Sequence, residues 1–225
     1  MLLYDTVIPG RFIARPNRFI ARVETAAGEE ICHVKNTGRC RELLVPGVEV
    51  VLAVSDNPAR KTRCDLVAVY KGERLINMDS QAPNRVAAEG LPRLIPGLAL
   101  LRPETRFGDS RLDFYWEAGE RRGFVEVKGV TLEEDGHARF PDAPTERGVK
   151  HLHELMRAVA EGHRATVFFV LQMAGMTDFA PNDDTHPAFG AALRQAAEAG
   201  VNVAAYSCRV TPDTLGIDRP VPVIL

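Results

Sequence analysis

The chain has 225 residues and a mass of 24.7 kDa, which corresponds to one large domain or two small ones. Hydrophobic residues make up 45% and charged residues 26%, as in globular proteins that bury a core without disulfides or structural metals. No apolar run approaches the ~20 residues that span a bilayer, and the N-terminal sequence lacks the pattern of a secretory signal. We therefore expect a cytoplasmic protein that does not engage a membrane.

The four cysteines, Cys32, Cys40, Cys64 and Cys208, are too few and too scattered for a disulfide framework. This spacing favours reduced thiols, in agreement with a cytoplasmic location. Zinc sites usually contain closely spaced cysteine pairs, and Cys32 and its neighbour His33 would point to opposite faces of a strand. We therefore expect small buried or half-buried thiols rather than a zinc site.

The charge distribution differs between the two parts of the chain. Residues 1–75 carry 12 Lys and Arg against 9 Asp and Glu, whereas residues 76–225 carry 16 against 21. The net charge is therefore −2, although the first part is basic. Arginine supplies 23 of the 28 basic residues, and its planar guanidinium suits phosphate recognition. Genomic base composition can produce the same bias.

The first 80 residues have the pattern of short strands separated by turns. The predicted strands cover residues 18–24, 30–34, 48–54, 66–70 and 74–78. Several short strands at this spacing are typical of a small barrel or sandwich. We predict an OB-like β-barrel domain over residues 1–80, a type of barrel that commonly binds nucleic acid.

The pattern changes to a mixture of helices and strands after residue 80. Helices are predicted at residues 84–91, 145–161 and 187–198, and strands at 98–107, 111–117, 124–130, 166–171 and 201–206. The second helix has an apolar stripe at helical spacing, with polar residues on its other face. The order is αβββαβ followed by αβ, and we predict a mixed α/β domain over residues 81–225.

Two carboxylates and a lysine lie on two successive strands of this second part. Glu126 and Lys128 are two residues apart and therefore share a face of their strand. A hairpin centred on residues 119–120 places Asp113 directly opposite Glu126, about 5 Å away between Cβ atoms. Two carboxylates at this distance can share Mg²⁺ or Mn²⁺, and a nearby ammonium can stabilise a scissile phosphate. A plain surface ion pair between Glu126 and Lys128 is the alternative, which this argument leaves open.

Asp113 followed by Glu126-Val127-Lys128, on strands within an αβββαβ order, resembles the PD-(D/E)xK motif of nucleases with the restriction-endonuclease-like fold. Leu112 stands where the name of that motif has Pro. Further segments extend the resemblance over nearly the whole chain: residues 36–38 with 46–47, 84–85, 110–114 and, most specifically, 140–152. With these segments the chain is similar to the sugar fermentation stimulation protein A family.

This resemblance implies an OB-like N-terminal domain, a nuclease-like C-terminal domain, DNA binding with little sequence preference and a link to the regulation of sugar metabolism. It implies that Asp113 and Glu126 hold Mg²⁺ or Mn²⁺ and that Lys128 is the catalytic lysine. We expect the Val127 carbonyl to be a further metal ligand. Such folds often add a glutamate from the first helix of the domain, for which Glu89 is the candidate and Glu104 is the rival.

Basic residues in three places are candidates for contacts with a nucleic-acid backbone. Phosphate contacts give affinity without reading the sequence, and a helix start adds free backbone N–H groups. Solubilising charge on loops and on a solvated helix face is the alternative explanation. The candidates are Arg39 and Arg41 on one loop, Arg60, Lys61 and Arg63 on another, and Arg147, Lys150 and His151 near the start of the helix at 145–161.

The sequence leaves three functions open. The first is a DNA-binding protein with a metal-dependent site that hydrolyses phosphodiesters. The second is a non-catalytic DNA-binding transcriptional regulator on the same scaffold. The third is an OB-type binder of RNA or single strands, which is weakened because aromatic residues for base stacking are sparse in the first 80 residues.

Overall fold

The N-terminal part of the protein is a closed β-barrel. The computed structural model describes residues 1–36 and 38–225. Its first strands are β1 (Val7–Asn17), β2 (Ile20–Thr25), β3 (Gly28–Val34), β4 (Glu49–Val54), β5 (Cys64–Lys71) and β6 (Arg74–Asn77). They follow the order β3-β2-β1-β4-β5-β6, and a parallel pairing of β3 with β5 closes five of them into a barrel. The predicted OB-like barrel is therefore confirmed.

Strand β1 was missing from the sequence prediction because it contains residues that usually interrupt strands. Pro9 and Gly10 lie within it, yet Pro9 faces Val51 of β4 in an antiparallel ladder. A Cβ atom on Gly10 would lie 2.4 Å from a methyl carbon of Val23, so the glycine is needed where β1 and β2 approach closely. Local composition does not reveal such a contact between strands.

The C-terminal part is a six-stranded mixed sheet with helices on both faces. Its elements are α1 (Ala82–Leu94), β7 (Leu100–Phe107), β8 (Ser110–Ala118), β9 (Arg121–Val130), β10 (Leu132–Glu134), β11 (His137–Phe140), α2 (Glu146–Ala160), β12 (Arg164–Leu171), β13 (Asp178–Pro181), α3 (Pro187–Glu198), β14 (Asn202–Val210) and β15 (Leu215–Val221). The predicted mixed α/β class and the αβββαβ order are confirmed, with β10 and β11 inserted before α2.

The large sheet has the strand order β15-β14-β12-β9-β8-β7, in which β9, β12 and β14 are parallel. Helix α1 covers one face, where its Val86 and Leu91 join a cluster with Phe114 and Phe168. Helices α2 and α3 cover the other face. The central strand β12 is buried on both sides, as its continuous apolar sequence predicts.

Four short or edge strands were not predicted. Strands β10, β11 and β13 form a separate three-stranded sheet, and each has only three or four residues, too few to show a period. Strand β15 lies at an edge of the large sheet and contains Pro220, which fits there because an edge strand has unpaired backbone groups.

The barrel and the second part are in direct contact. The barrel strands end at Asn77 and α1 begins at Ala82. The domain boundary at residue 80, which stays a prediction, falls within this short connection. The buried side chains of Tyr4, Asn77 and Gln172 are hydrogen-bonded in a chain, from Gln172 to Asn77 and from Asn77 to Tyr4. Residues 1–4 also reach the second part, where the N–H of Leu3 donates to a backbone carbonyl.

The thiols are as the sequence predicts, since all four cysteines are buried and free. Cys32 and Cys64 face each other where β3 pairs with β5. In the part of the chain that the structure describes, no helix is long and apolar enough to cross a membrane.

Candidate functional site

The β8–β9 hairpin has the register that the sequence predicts. Its ladder runs from Ala118 opposite Arg121 to Phe114 opposite Val125, and Asp113 and Glu126 are the next residues on the two strands. The two carboxylates therefore lie at adjoining positions, at the point where the ladder ends.

Asp113 is anchored by two hydrogen bonds from different elements. Its Oδ2 accepts from the backbone N–H of Val127 at 2.8 Å, and its Oδ1 accepts from the Asn84 amide at 2.8 Å. Asn84 lies in the first turn of α1, so the helix helps to orient the carboxylate. Burial and the negative charge of Glu126 raise the pKa of Asp113 above its usual value, against the opposing effect of Lys128 and of the hydrogen bonds.

Glu126 is a buried carboxylate, with 2% of its surface exposed. Its Oε1 accepts from Lys128 Nζ at 2.6 Å and also contacts Nδ1 of His151. Its Oε2 is buried and has no hydrogen-bond partner among the residues that the structure describes. Burial opposes ionisation, but the bonds from His151 and Lys128 outweigh it and hold the pKa of Glu126 below its usual value.

Helix α2 brings His151 to this cluster. Only 5% of the surface of His151 is exposed, and Arg147 Nε lies 3.3 Å from its second ring nitrogen. The expectation that His151 contacts nucleic acid from a solvated helix face is therefore corrected. The polar face of α2 packs partly against the sheet, where Glu154 is also buried, and His151 acts as a partner of Glu126.

Glu89, the predicted additional ligand, is not brought to this cluster. Its carboxylate pairs with the N-terminal amine at 3.3 Å, because it lies five residues after Asn84 and faces another direction on α1. Glu104, the rival, lines the same 340 Å³ cavity as Asn84 and Asp113, and its carboxylate pairs with Arg111 at 2.7 Å. The described residues contain no group of three His, Cys, Asp or Glu side chains arranged to hold a metal.

The donor set nevertheless suits a hard divalent cation with few protein ligands. Such cations prefer oxygen, and Mg²⁺ is usually bound by one or two carboxylates with water completing its shell. Glu126 offers a buried oxygen that no described residue hydrogen-bonds, and Asp113 lies beside it. The residues therefore fit Mg²⁺ or Mn²⁺ held by Asp113 and Glu126. Val127 contributes its N–H to Asp113, and the role of its carbonyl stays a prediction.

Two predicted basic residues lie at the exposed start of α2. Arg147 and Lys150 are both solvent-exposed, and Lys150 Nζ donates to the backbone carbonyl of Asp109 at 3.2 Å. The N-cap of this helix is Thr145, whose hydroxyl accepts from the N–H of Gly148 at 3.1 Å. The side chains of Arg147 and Lys150 thus extend into solvent close to the His151–Glu126 pair.

The two basic loops of the barrel differ in whether their side chains form ion pairs with acidic residues. Arg39 and Arg41 are exposed and line a shallow 260 Å³ cavity together with Arg15 and Arg18. In the other loop, Arg60 forms two bonds with the buried Asp65, and Arg63 pairs with Glu30 at 3.1 Å. Lys61 is exposed. The loop with Arg39 and Arg41 is therefore the better placed of the two for phosphate contacts.

Sequence reasoning missed Asn84 as a site residue, although it had singled out the 84–85 segment. The sequence feature that could have indicated Asn84 is a side-chain amide in the first turn of the helix that precedes the hairpin. It also missed that Gly38 lies against the 140–152 segment: a Cβ on Gly38 would lie 2.7 Å from Oδ2 of Asp142. Thr37 lies outside the described residues.

Two family descriptions match the chain, one for each part. Residues 13–78 match the model described as the SfsA N-terminal OB domain. Residues 81–214 match the model described as the sugar fermentation stimulation protein RE domain.

Curated relatives cover almost the full chain. A sugar fermentation stimulation protein homolog of Desulfitobacterium hafniense (strain Y51) is 58% identical over 213 residues, which are 94% of this chain and 93% of the relative. A homolog of the same description from Clostridium beijerinckii is 51% identical over 224 residues, 99% of each chain. Among solved structures, Pyrococcus furiosus SfsA in complex with Ca²⁺ matches with a TM-score of 0.89, 27% identity and complete coverage of both chains.

Proposed function

The chain belongs to the sugar fermentation stimulation protein family, and from this premise we propose that it binds DNA with little sequence preference and hydrolyses phosphodiesters at a metal-dependent site. The observation that carries the catalytic part is the buried Oε2 of Glu126, which has no hydrogen-bond partner within the described residues, beside Asp113 and Lys128. A buried carboxylate oxygen without a partner is costly unless a ligand binds it. A link to the regulation of sugar metabolism is the wider role that we propose from the family name.

Asp113 and Glu126 would hold Mg²⁺ or Mn²⁺, and the Ca²⁺ complex of the Pyrococcus furiosus relative supports a divalent cation in this family. The chemistry that such a cation supplies when bound is activation of a water and stabilisation of charge on the phosphate. Asn84 and the Val127 N–H keep the Asp113 carboxylate oriented. Lys128 places a positive charge where the negative charge of the reacting phosphate increases.

The DNA-binding part of the proposal rests on exposed basic side chains near the cluster and on the barrel. Arg147 and Lys150 project from the start of α2, four residues and one residue before His151, and Arg147 Nε lies 3.3 Å from a ring nitrogen of His151. Arg39 and Arg41 extend the basic surface onto the barrel. These residues would contact phosphates and not base edges, so affinity should depend on salt more than on sequence.

Lys128→Met separates an enzyme from a protein that only binds. In a panel of single-stranded, double-stranded and branched DNA and RNA with Mg²⁺ or Mn²⁺, we expect wild type to cut at least one substrate and Lys128→Met to lose cleavage while retaining most DNA affinity. Methionine keeps the apolar stem of the lysine, so the fold should persist. The control is Arg209→Met, which removes an exposed charge on β14 and should leave cleavage unchanged. Absence of cleavage by wild type across the panel, with and without chelator, contradicts the catalytic part.

A non-catalytic DNA-binding regulator is the second candidate. One observation in its favour is the ion pair between Lys128 and Glu126, which already engages the lysine ammonium within the protein. Another is that the described residues contain no third carboxylate or imidazole arranged to hold a metal. In that case Lys128→Met would weaken DNA binding modestly and lower the salt dependence by about one phosphate contact.

The binding part is tested by the salt dependence of DNA affinity. We expect Arg39→Gln/Arg41→Gln to lower the slope of log affinity against log salt by about two units, because each arginine releases counterions from one phosphate. Arg22→Gln is the control on the same barrel, since Glu29 already holds that guanidinium through bonds of 2.6 and 2.8 Å. Fluorescence anisotropy at several salt concentrations measures the slope. Equal slopes for wild type and the double variant would remove this loop from the DNA surface.

A further inference from the structure

A second cavity opens away from Asp113 and Glu126, at the end of the large sheet where β9, β12 and β14 begin. Its volume is about 360 Å³, within the range of about 300–1,000 Å³ that is usual for small-molecule sites. Val125 contributes to its lining, and because Val125 and Glu126 are consecutive strand residues their side chains point to opposite faces of the sheet. The C-terminal end of α1, with Leu91 and Leu94, forms another wall.

Part of the wall of this cavity is aromatic. Trp116, Phe168 and Tyr206 all line it, and the rings of Phe168 and Tyr206 lie 5.3 Å apart between centroids. A Cβ on Gly123, the residue opposite Trp116, would lie 2.7 Å from the indole, so the glycine gives the tryptophan its position. Such a surface suits a flat apolar body, which stacks on aromatic rings.

The charged side chains that line the cavity are arginines. Arg121, His163 and Arg164 line it, whereas none of its lining residues is Asp or Glu. Neither Arg121 nor Arg164 forms a salt bridge within residues 1–36 and 38–225, and Arg121 donates only to the carbonyl of Pro96, at 2.5 Å. Two arginines without an acidic side chain in the same lining favour an anionic ligand, although residues 76–225 as a whole carry more acids than bases.

We infer that this cavity binds a small aromatic carboxylate, with its ring against Trp116, Phe168 and Tyr206 and its carboxylate beside Arg121 and Arg164. The guanidinium group is suited to bind a carboxylate through two hydrogen bonds. The ring would replace water on the apolar walls, which favours binding in proportion to the area covered. This site is separate from the phosphodiester site and does not depend on a metal or on DNA.

Calorimetric titration of the full-length protein with naphthylacetate, compared with the neutral naphthylacetamide, tests this inference. We expect one equivalent of naphthylacetate to bind about tenfold more tightly than the amide, since a hydrogen bond to a charged group is worth about that factor. The emission of Trp116, the only tryptophan of the chain, should change in parallel. Equal affinity for the two compounds, or no saturable binding of naphthylacetate, would overturn the inference.

Variants locate the binding in this cavity. Arg121→Gln/Arg164→Gln should weaken naphthylacetate binding about tenfold or more, and both substitutions are at exposed positions that the fold tolerates. Ala204→Phe should block binding by filling the cavity while leaving both arginines in place. Arg209→Gln, an exposed arginine elsewhere on β14, is the control and should bind as wild type does. Unchanged binding by the double arginine variant would assign the ligand to another place and refute the proposal.

Discussion

Glu126 combines two properties that single residues seldom share, full burial and an ionised carboxylate. The bonds from Lys128 and His151 account for its charge, because they stabilise the anion that burial disfavours. They engage one oxygen only, and the other oxygen remains without a partner within the described part of the chain. The pKa of neighbouring Asp113 is raised instead, because burial and the charge of Glu126 disfavour its anion. A cation bound between the two carboxylates would relieve this repulsion, so the pair is suited to accept one.

At the scale of single residues, metal binding should depend on this pair. We expect wild type to bind one or two Mn²⁺ or Mg²⁺ ions in calorimetric titration and Asp113→Asn/Glu126→Gln to lose that binding, because the amides keep the shape of the carboxylates but remove their charge. Glu89→Gln is a useful comparison, since Glu89 pairs with the N-terminal amine and should not affect metal affinity. Unchanged binding by the double variant would place the metal elsewhere.

The residues of the candidate site could be predicted from sequence to the extent that they lie on one hairpin. Asp113, Glu126 and Lys128 follow from strand periodicity and the position of the turn alone. Asn84 and His151 could not be derived in this way, because each reaches the hairpin from a helix far away in sequence. Helix–sheet packing decides those contacts, and one sequence contains no periodic signal for it.

At the scale of elements, the sequence predicts both ends of α2 to within one residue. It does not predict which side chains of the helix are exposed. The apolar stripe and Gly162 define its length, and the structure has it at Glu146–Ala160. The sequence places His151 on the polar face opposite the apolar stripe and so predicts it in solvent, but His151 is buried, as is Glu154 on the same face. Polarity predicts exposure only where no buried charge on a neighbouring element needs a partner.

The start of α2 should depend on its N-cap. We expect Thr145→Ala to lower the free energy of unfolding by about 1 kcal/mol, because the N–H of Gly148 loses its acceptor. Thr145→Ser keeps the hydroxyl and should retain most of the stability. Urea denaturation followed by circular dichroism gives the comparison. Equal stability of the alanine and serine variants would show that the cap bond contributes little.

At the scale of the whole molecule, the two parts are joined through polar groups that are themselves buried. Gln172, which directly follows β12, donates to the Asn77 side chain and to the backbone carbonyl of Asp79, three residues before α1 begins. The carboxylate of Asp79 in turn accepts from the N–H of Gln81 at 2.9 Å. The barrel therefore fixes the start of α1, and with it Asn84 beside Asp113. Composition divides the chain into two domains but cannot indicate that one domain helps to position the candidate site of the other.

A second link between the two parts should make stability depend on pH. Glu133 of β10 is buried and pairs with Lys71 at 2.8 Å and Arg74 at 2.6 Å, both on the barrel hairpin. Burial alone would raise its pKa, but bonds from Lys71 and the Gly136 N–H, together with the charge of Arg74, hold the pKa of Glu133 below its usual value.

A depressed carboxyl pKa stabilises the folded state at a pH above the pKa of the unfolded chain, and this contribution is lost as the pH falls through the lower folded value. We therefore expect Glu133→Gln to lower the free energy of unfolding by about 1–2 kcal/mol at neutral pH, a modest loss because both cations are partly exposed. The difference in the free energy of unfolding between wild type and Glu133→Gln should become smaller as the pH falls. Glu134→Gln, at the exposed neighbouring position, is the control and should show little change at any pH. Urea denaturation from neutral to acidic pH measures the difference, and a deficit that is independent of pH would mean that the amide disturbs packing rather than charge.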